Sequence, residues 1–403
     1  MANIRWHRVL LITVVMVLVI SYPILWLRML NDPVQYTGTD YVPFYAASQI
    51  SRNEGPSQIY NLELQRKYEQ NLGNFVIHPD DVRIFLNPPF IVPLANLSLT
   101  ADFRTSLVLW EFINFLALLM ATCLLFRFLN TNFSRKVLVI FLAGVVFFFP
   151  AYKSLIIGQN SSFLLLGAVL LLIGTIQKKD WMSGLGLAIM TVRPHIALPL
   201  ALPFLFNRRK TLYWFLACAA LLGLVSLGYS GLDGVKGFLD MLLVSGSGSN
   251  STTGEYSMVN LIGILLRFFP MASIDIIHWI GWGAYILSMG YLCYYWKRSS
   301  SIEGKQISVA ILITAITVPH IHMHDLVLWI LPLTTILLYT TERSDLSLHA
   351  ASLPWWVSFA FLICFFSPIL EAIIPYIIYC LLLFLIIKPE NLKMLARSET
   401  GGI

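Results

Sequence analysis

Residues 177–210 read QKKDWMSGLGLAIMTVRPHIALPLALPFLFNRRK. Lys178 and Lys179 open the stretch, Arg208, Arg209 and Lys210 close it, and the apolar run between them is broken by Arg193-Pro194-His195. Short basic flanks mark the cytoplasmic side of a membrane. Each arm has about 12 residues, or ~18 Å of helix, against ~30 Å of hydrocarbon. With both flanks basic, residues 181–206 read as a broken-helix hairpin whose tip passes the midplane. Two full but tilted spans are the alternative and leave the parity unchanged. Broken backbone at membrane depth persists only where protein buries it or where it lines a wet cavity. One stretch therefore bears on fold and site together.

The rest of the chain agrees. Of 403 residues, 57% are hydrophobic and only 12% charged, whereas soluble domains carry roughly 25% charged residues. That balance excludes a soluble enzyme, a disordered chain and a coiled coil, and the recurrence of apolar runs excludes a single-anchor receptor. Spans are expected over 9–28, 104–126, 137–151, 160–176, 211–229, 274–296, 306–318, 326–341, 352–367 and 372–387. The fold class is an all-α polytopic membrane protein, a single domain over residues 1–403 with about 10–12 transmembrane or half-membrane helices. Segments 1–8, 127–136, 177–180, 207–210, 297–305, 342–351 and 388–403 hold 17 of the 27 Lys and Arg. Both termini are therefore expected in the cytoplasm of a multi-pass plasma (inner) membrane protein. The net charge of +6 is topological, and no nucleic-acid partner is implied. Cys123, Cys218, Cys293, Cys364 and Cys380 all lie in apolar runs without a Cys-x-x-Cys pair, so neither a disulfide framework nor a metal site is indicated. The run from Val9 to Leu27 is too long for a signal peptide and has no small-residue cleavage site after it.

Two long polar segments, 29–103 and 230–273, fall on the outer side and point to a reaction site at the extracytoplasmic surface. The second contains the Gly/Ser run 245–254, with the composition of a flexible loop. In the first, Ile59, Leu62, Leu64, Tyr68 and Leu72 recur at helical spacing over 57–71, as in an interfacial helix. Just past the first span stands Thr37-Gly38-Thr39-Asp40-Tyr41-Val42-Pro43-Phe44-Tyr45. Asp40 reads as a carboxylate base with the aromatics Tyr36, Tyr41, Phe44 and Tyr45 as a sugar platform, or as the cap of a helix beginning near Pro43 beneath an aromatic belt. Asn87-Pro88-Pro89-Phe90 reads as a stiff return path into the membrane. Arg193 is a costly charge in an apolar stretch and so is rarely idle. Pro194 suits a helix's first turn, whose amides with Arg193 and His195 would form an anion site, unless the arginine is paired with a carboxylate. Pro319-His320-Ile321-His322-Met323-His324-Asp325 repeats the device, with His320 and His324 on one helix face. That spacing would also suit a zinc pair, but no glutamate stands between the histidines and no third ligand is evident. No cofactor is expected, and a divalent metal is not indicated. Gln159 and Asn160, in Gly158-Gln159-Asn160-Ser161-Ser162, can bond a sugar or cap a helix.

The order of these pieces resembles glycosyltransferase family 87, membrane enzymes of the GT-C superfamily. The matching residues are Asp40 with Phe44-Tyr45-Ala46-Ala47, Gly55 with Ile59-Tyr60, Asn87-Pro88-Pro89-Phe90, Gly158-Gln159-Asn160 and Arg193-Pro194-His195. Tyr256-Ser257-Met258 before Leu266-Arg267, and Pro319-His320 with Asp325-Leu326, complete a set covering roughly residues 35–335. The resemblance implies a GT-C-like bundle, a polyprenyl-phosphate-sugar donor and a lipid or glycan acceptor, among membrane lipids. Members include mannosyltransferases of phosphatidylinositol mannoside synthesis, so a hexose, with mannose foremost, is the expected cargo. The implied catalytic base is Asp40, in an inverting transfer. Arg193 and His320 would hold the donor phosphate, with His195, Lys153 and Arg267 as further candidates. Tyr41, Tyr45, Gln159, Asn160, His322, His324 and Asp325 are the expected substrate contacts. The competing reading is a secondary transporter or flippase of a lipid-linked sugar, which would use the same broken helices. Such proteins usually carry internal pseudo-repeats and short loops, and neither is visible in this sequence.

Overall fold

The computed structural model describes residues 6–72, 82–130, 135–246, 254–299 and 303–342, and among them all regular structure is helical. The α-helices are α1 (Trp6–Asn31), α2 (Pro33–Thr37), α3 (Val42–Asn53), α4 (Leu62–Gln70) and α5 (Val92–Asn96), then α6 (Phe103–Leu129), α7 (Arg135–Val146), α8 (Phe149–Ile156) and α9 (Ser161–Ile176). They continue as α10 (Asp180–Ile189), α11 (Pro194–Ala201), α12 (Arg209–Gly246), α13 (Leu261–Phe268), α14 (Ile274–Arg298), α15 (Gly304–Thr317) and α16 (Ile330–Glu342). Three described helices are long and apolar enough to cross a membrane: Phe103–Leu129, Arg209–Leu243 and Ile274–Arg298. Their outward faces are apolar, as with Phe112 and Met120 on α6, Leu221 and Leu224 on α12, and Ile286 and Leu287 on α14. The protein is an all-α polytopic membrane protein. The spans expected at 352–367 and 372–387 lie outside the described residues, as does most of the Gly/Ser run at 245–254.

Polar groups turned inward tie the bundle together. Trp26 on α1 donates its indole N–H to Glu111 on α6 at 2.7 Å. Buried in the apolar bundle, such a bond is costly to leave unmade, so it fixes α1 against α6. Between α9 and α10 the contact is backbone on backbone. A Cβ placed on Gly186 would collide with the Gly167 carbonyl oxygen. Small residues at such crossings let membrane helices pack without the help of a hydrophobic effect.

The stretch between the two basic flanks is two short helical arms. α10 runs into a 3-10 turn at Met190–Val192, Arg193 is non-helical (φ −129°, ψ 81°), and α11 runs into a second 3-10 turn at Leu202–Leu205. The far ends of the arms are stapled to each other. Arg208 Nη2 lies 2.6 Å from Asp180 Oδ1, and Thr211 donates to the same oxygen at 2.7 Å. Arg193 thus stands at the turn of a doubled-back segment.

Several expectations need correction. The span expected at 137–151 is interrupted between Val146 and Phe149, because Pro150 in the first turn of α8 has no N–H to continue a helix. Helix α12 does not end near 229: it breaks at Gly231 (φ 68°) and resumes to Gly246, so the second polar segment begins as helix. The expected span 326–341 starts as a 3-10 helix, Met323–Trp329, before α16. The fourth concerns Pro319, which opens no helix: α15 stops at Thr317, and the next helical turn begins at Met323. Finally, α4 buries a polar side, Gln65 and Glu69, while Leu62 is exposed.

Candidate functional site

The segment between α1 and α6 is held by hydrogen bonds to backbone as well as by apolar packing of residues such as Phe44, Ile59 and Phe85. Gln65 donates to the Ile59 carbonyl at 2.8 Å and accepts from the Phe85 amide at 3.0 Å. Glu69 accepts from the Arg83 amide at 3.1 Å. Residues 82–87 run without regular structure, and these two side chains satisfy backbone groups that would otherwise be orphaned. The guanidinium of Arg83, placed by this clamp, donates to the Thr39 carbonyl at 2.6 Å. Arg83 therefore holds the turn that carries Asp40.

The Glu69 clamp is pH-dependent. Burial pushes its carboxyl up to about 7, against the opposing pull of the Arg83 amide and guanidinium. The ordinary value is 4.5, so between the two the folded protein keeps a proton that the unfolded chain has released. The stabilisation is whole below the lower value and is lost as the pH rises through the upper one. We expect up to about 3 kcal/mol of stability to disappear between about pH 5 and about pH 8. Melting curves of Glu69→Gln across that range should be flatter than those of the parent, and parallel curves would refute the assignment.

Asp40 faces a cavity of about 550 Å³, which also receives Arg83 and Asn87 from the loop, Lys153 from α8 and Gln159 from the turn before α9. Arg193 and His195 enter from the arm junction, and His320, His322 and His324 from the link after α15. Asp40 is not a helix cap: α3 has Tyr41 at its N-cap and no side-chain capping bond. Its Oδ2 accepts instead from Gln159 Nε2 at 3.0 Å. Gln159 is aimed by Gly158, whose φ of +72° suits glycine and whose carbonyl accepts from the Trp110 indole at 2.8 Å. A Cβ on Gly158 would also meet that of Tyr41 at 2.6 Å.

Arg193 is engaged on several sides. Nη2 donates to Gln159 Oε1 at 2.6 Å, Nη1 to Asn87 Oδ1 at 3.3 Å, and Nε lies 3.5 Å from Asp325 Oδ1. Asp325, 1% exposed, also accepts from Ser161 at 2.8 Å. The amide cradle expected at α11 is largely consumed, since the Ile196 and Ala197 amides both bond the Arg193 carbonyl. His195 keeps a buried Nε2 without a hydrogen-bond partner, and its ring lies 6.2 Å from that of His320. His320 and His324 do not share a helix face as expected. His320 sits in the non-helical link and His322 is extended (φ −116°, ψ 173°); alternate residues of such backbone point the same way. The rings form a file, with centroids 4.7 Å apart from His320 to His322 and 5.6 Å from His322 to His324. Two bonds clamp the link: the Val259 amide to the Ile321 carbonyl at 3.1 Å, and the Asn260 side chain to the Val318 carbonyl at 2.7 Å.

Five of the expected site residues lie off the cavity wall. Tyr41 and Tyr45 are packed behind it, with hydroxyls bonded to Ser98 (3.0 Å) and the Thr100 carbonyl (3.2 Å). Their rings belong to an aromatic cluster with Phe103 and Trp110, so they support the Asp40 turn from beneath. Asn160 is fully buried and donates to Asn87 at 2.9 Å. Asp325 is the buried partner of Arg193 described above. Arg267 bonds the carbonyls of Tyr256 and Met258, at 2.6 and 2.8 Å. Sequence reasoning missed the Arg83 contact, the side-chain role of Asn87, and a second acidic position. Glu255 lies 3.1 Å from His278 on the cavity wall. Residues 23 apart give no local signal, although His278 and Trp282, both lining the cavity, stand four apart on one face of α14. Among the described residues no group of three or more His, Cys, Asp or Glu side chains is arranged to hold a metal ion.

A carboxylate that is not spent on capping, cations and imidazoles therefore share one chamber, of a size usual for small-molecule sites. Such a set can accept a proton from a hydroxyl and hold an anionic leaving group. Among known proteins, the sequence model of glycosyltransferase family 87 matches residues 85–319. No curated protein and no solved structure matches the chain.

Proposed function

From the premise that this chain belongs to glycosyltransferase family 87, and is therefore a membrane glycosyltransferase, we propose the reaction its cavity performs. The donor is a polyprenyl-phosphate hexose, mannose foremost, and the acceptor is a hydroxyl of a lipid or glycan at the extracytoplasmic face. One juxtaposition carries the reading: Asp40 opens onto the same cavity as Lys153, Arg193 and His320. The acceptor oxygen attacks the anomeric carbon from the face opposite the phosphate, and its proton passes to Asp40. The bond from anomeric carbon to phosphate oxygen breaks, its electron pair leaves with the polyprenyl phosphate, and the configuration inverts. Because that leaving group is already a stable anion, a carboxylate base within reach of the hydroxyl suffices.

Lys153 has no ion-pair partner among the described residues. It is the wall cation best suited to the donor phosphate, joined by His320, His195 Nε2 and the remaining N–H groups of Arg193. Fixed donors aimed at developing charge in a closed site are usually the largest single contribution to catalysis. The two termini on the cytoplasmic side complete the proposed orientation.

The test is direct. Purified protein in lipid discs is incubated with defined polyprenyl-phosphate hexoses and candidate acceptors. Expected is one released polyprenyl phosphate per glycosylated acceptor, with the anomeric centre inverted. Retention of configuration would remove the single-displacement scheme, and counter-flow of intact lipid-linked sugar without covalent product would replace the enzyme with a transporter.

A further inference from the structure

Asp40 is not held by its own loop alone. One end of the Gln159 amide, Nε2, donates to Asp40 Oδ2 at 3.0 Å, and the other, Oε1, accepts from Arg193 Nη2 at 2.6 Å. The two ends of an amide are interchangeable in shape, and only their partners decide which is which. Here both partners agree. A guanidinium can only donate and a carboxylate can only accept, so the oxygen must face Arg193 and the NH2 group must face Asp40. Arg193 is itself pinned by Asn87 and by Asp325, and Asp325 by Ser161 in the first turn of α9. The backbone of Gln159 is equally constrained, its amide bonding the Ser154 carbonyl at 2.8 Å and its carbonyl accepting from the Ser154 hydroxyl at 3.2 Å. A buried chain of two hydrogen bonds and one ion pair, Ser161–Asp325–Arg193–Gln159, thus ends on the cavity carboxylate.

We infer that Gln159 is a positioning residue for the transfer, acting through Asp40 rather than on the sugar. It occupies Oδ2 and fixes the plane of the carboxylate, so that Oδ1 is the oxygen presented to the acceptor hydroxyl. When the proton arrives on Oδ1, Oδ2 becomes the carbonyl oxygen and still accepts from Gln159, so the contact persists through the step. The assignment gives Arg193 a second duty, to set the sense of the Gln159 amide. It rests on the reading of Asp40 as the base.

Two substitutions separate this role from a structural one. Gln159→Glu leaves Arg193 an acceptor but turns a like charge towards Asp40, and the neighbouring guanidinium keeps that carboxylate ionised. Gln159→Met removes both contacts at similar volume. Both should retain the parent melting temperature to within a few degrees and KM values for donor and acceptor within about threefold, while kcat falls by about 10²-fold. Gln159→Glu should be no better than Gln159→Met. In an Asp40→Asn background, either change should lower residual turnover by less than about twofold, because residues acting as a unit are not additive. A Gln159→Glu enzyme with near-parent kcat would overturn the inference, showing that Gln159 serves Arg193 alone. A raised KM with unchanged kcat would overturn it in favour of substrate contact. The premise is tested separately: an active Asp40→Asn enzyme sinks the base assignment, whereas an inactive one beside fully active Gln159 variants sinks only the positioning role.

Discussion

An Asp40→Asn enzyme is expected to fold, to bind its lipid donor as the parent does, and to turn over about 10²- to 10⁴-fold more slowly, the usual range for a lost general base. The substitution is nearly isosteric, and the asparagine side-chain oxygen can still accept from Gln159. What disappears is a carboxylate able to take a proton. Folding should be unaffected because Asp40 makes no helix-capping bond, and the turn around it is held by Arg83 through the Thr39 carbonyl. Single-turnover transfer and donor binding, measured on the same preparation, provide the check. If donor binding is lost together with turnover, Asp40 contributes to ground-state recognition and the division of labour in the cavity must be redrawn.

The second large effect is expected at Arg193, on stability as well as on turnover. Arg193 and Asp325 have side chains 12% and 1% exposed. Removing one partner of a buried pair strands the other, a loss of about 3–5 kcal/mol. Arg193→Met should therefore melt far below the parent and show no transfer. Adding Asp325→Asn removes the stranded charge and should restore most of the stability. It should not restore transfer, because the Gln159 amide has lost the donor that sets its sense. A double variant that regains both would show that Arg193 only balances Asp325. An Arg193→Met protein as stable as the parent would show that the pair is not desolvated.

Much of the architecture was legible because hydropathy, basic flanks and proline act over short distances. A helix such as α6 or α14 needs only a run of apolar residues of sufficient length, and both appear within a few residues of where the sequence sets them. The break at Arg193-Pro194 was legible for the same reason. The helix starts imagined at Pro319 and the continuous span through Pro150 were not. Proline permits a first turn without compelling one, and whether the chain enters a helix depends on distant clamps such as Asn260 on the Val318 carbonyl. Residues 57–71 mislead in another way. Apolar spacing suggested which side of α4 is buried, but the buried side carries Gln65 and Glu69, whose partners 14 to 20 residues away are backbone amides that periodicity does not register.

Asp40, Arg193, His320 and Gln159 could be singled out because charge and polarity in an apolar chain stand out one residue at a time. By itself the sequence determined that the protein is a helical membrane enzyme of a recognisable family, since apolar length, charge placement and ordered motifs are properties of the chain read in line. That Asn87 and Asp40 meet the cavity while Asn160, Asp325 and both tyrosines brace it from behind was decided only by tertiary structure. Hydrogen bonds are short and directional. Chain order could not show that an arginine 34 residues from a glutamine would turn that amide towards an aspartate 119 residues before it.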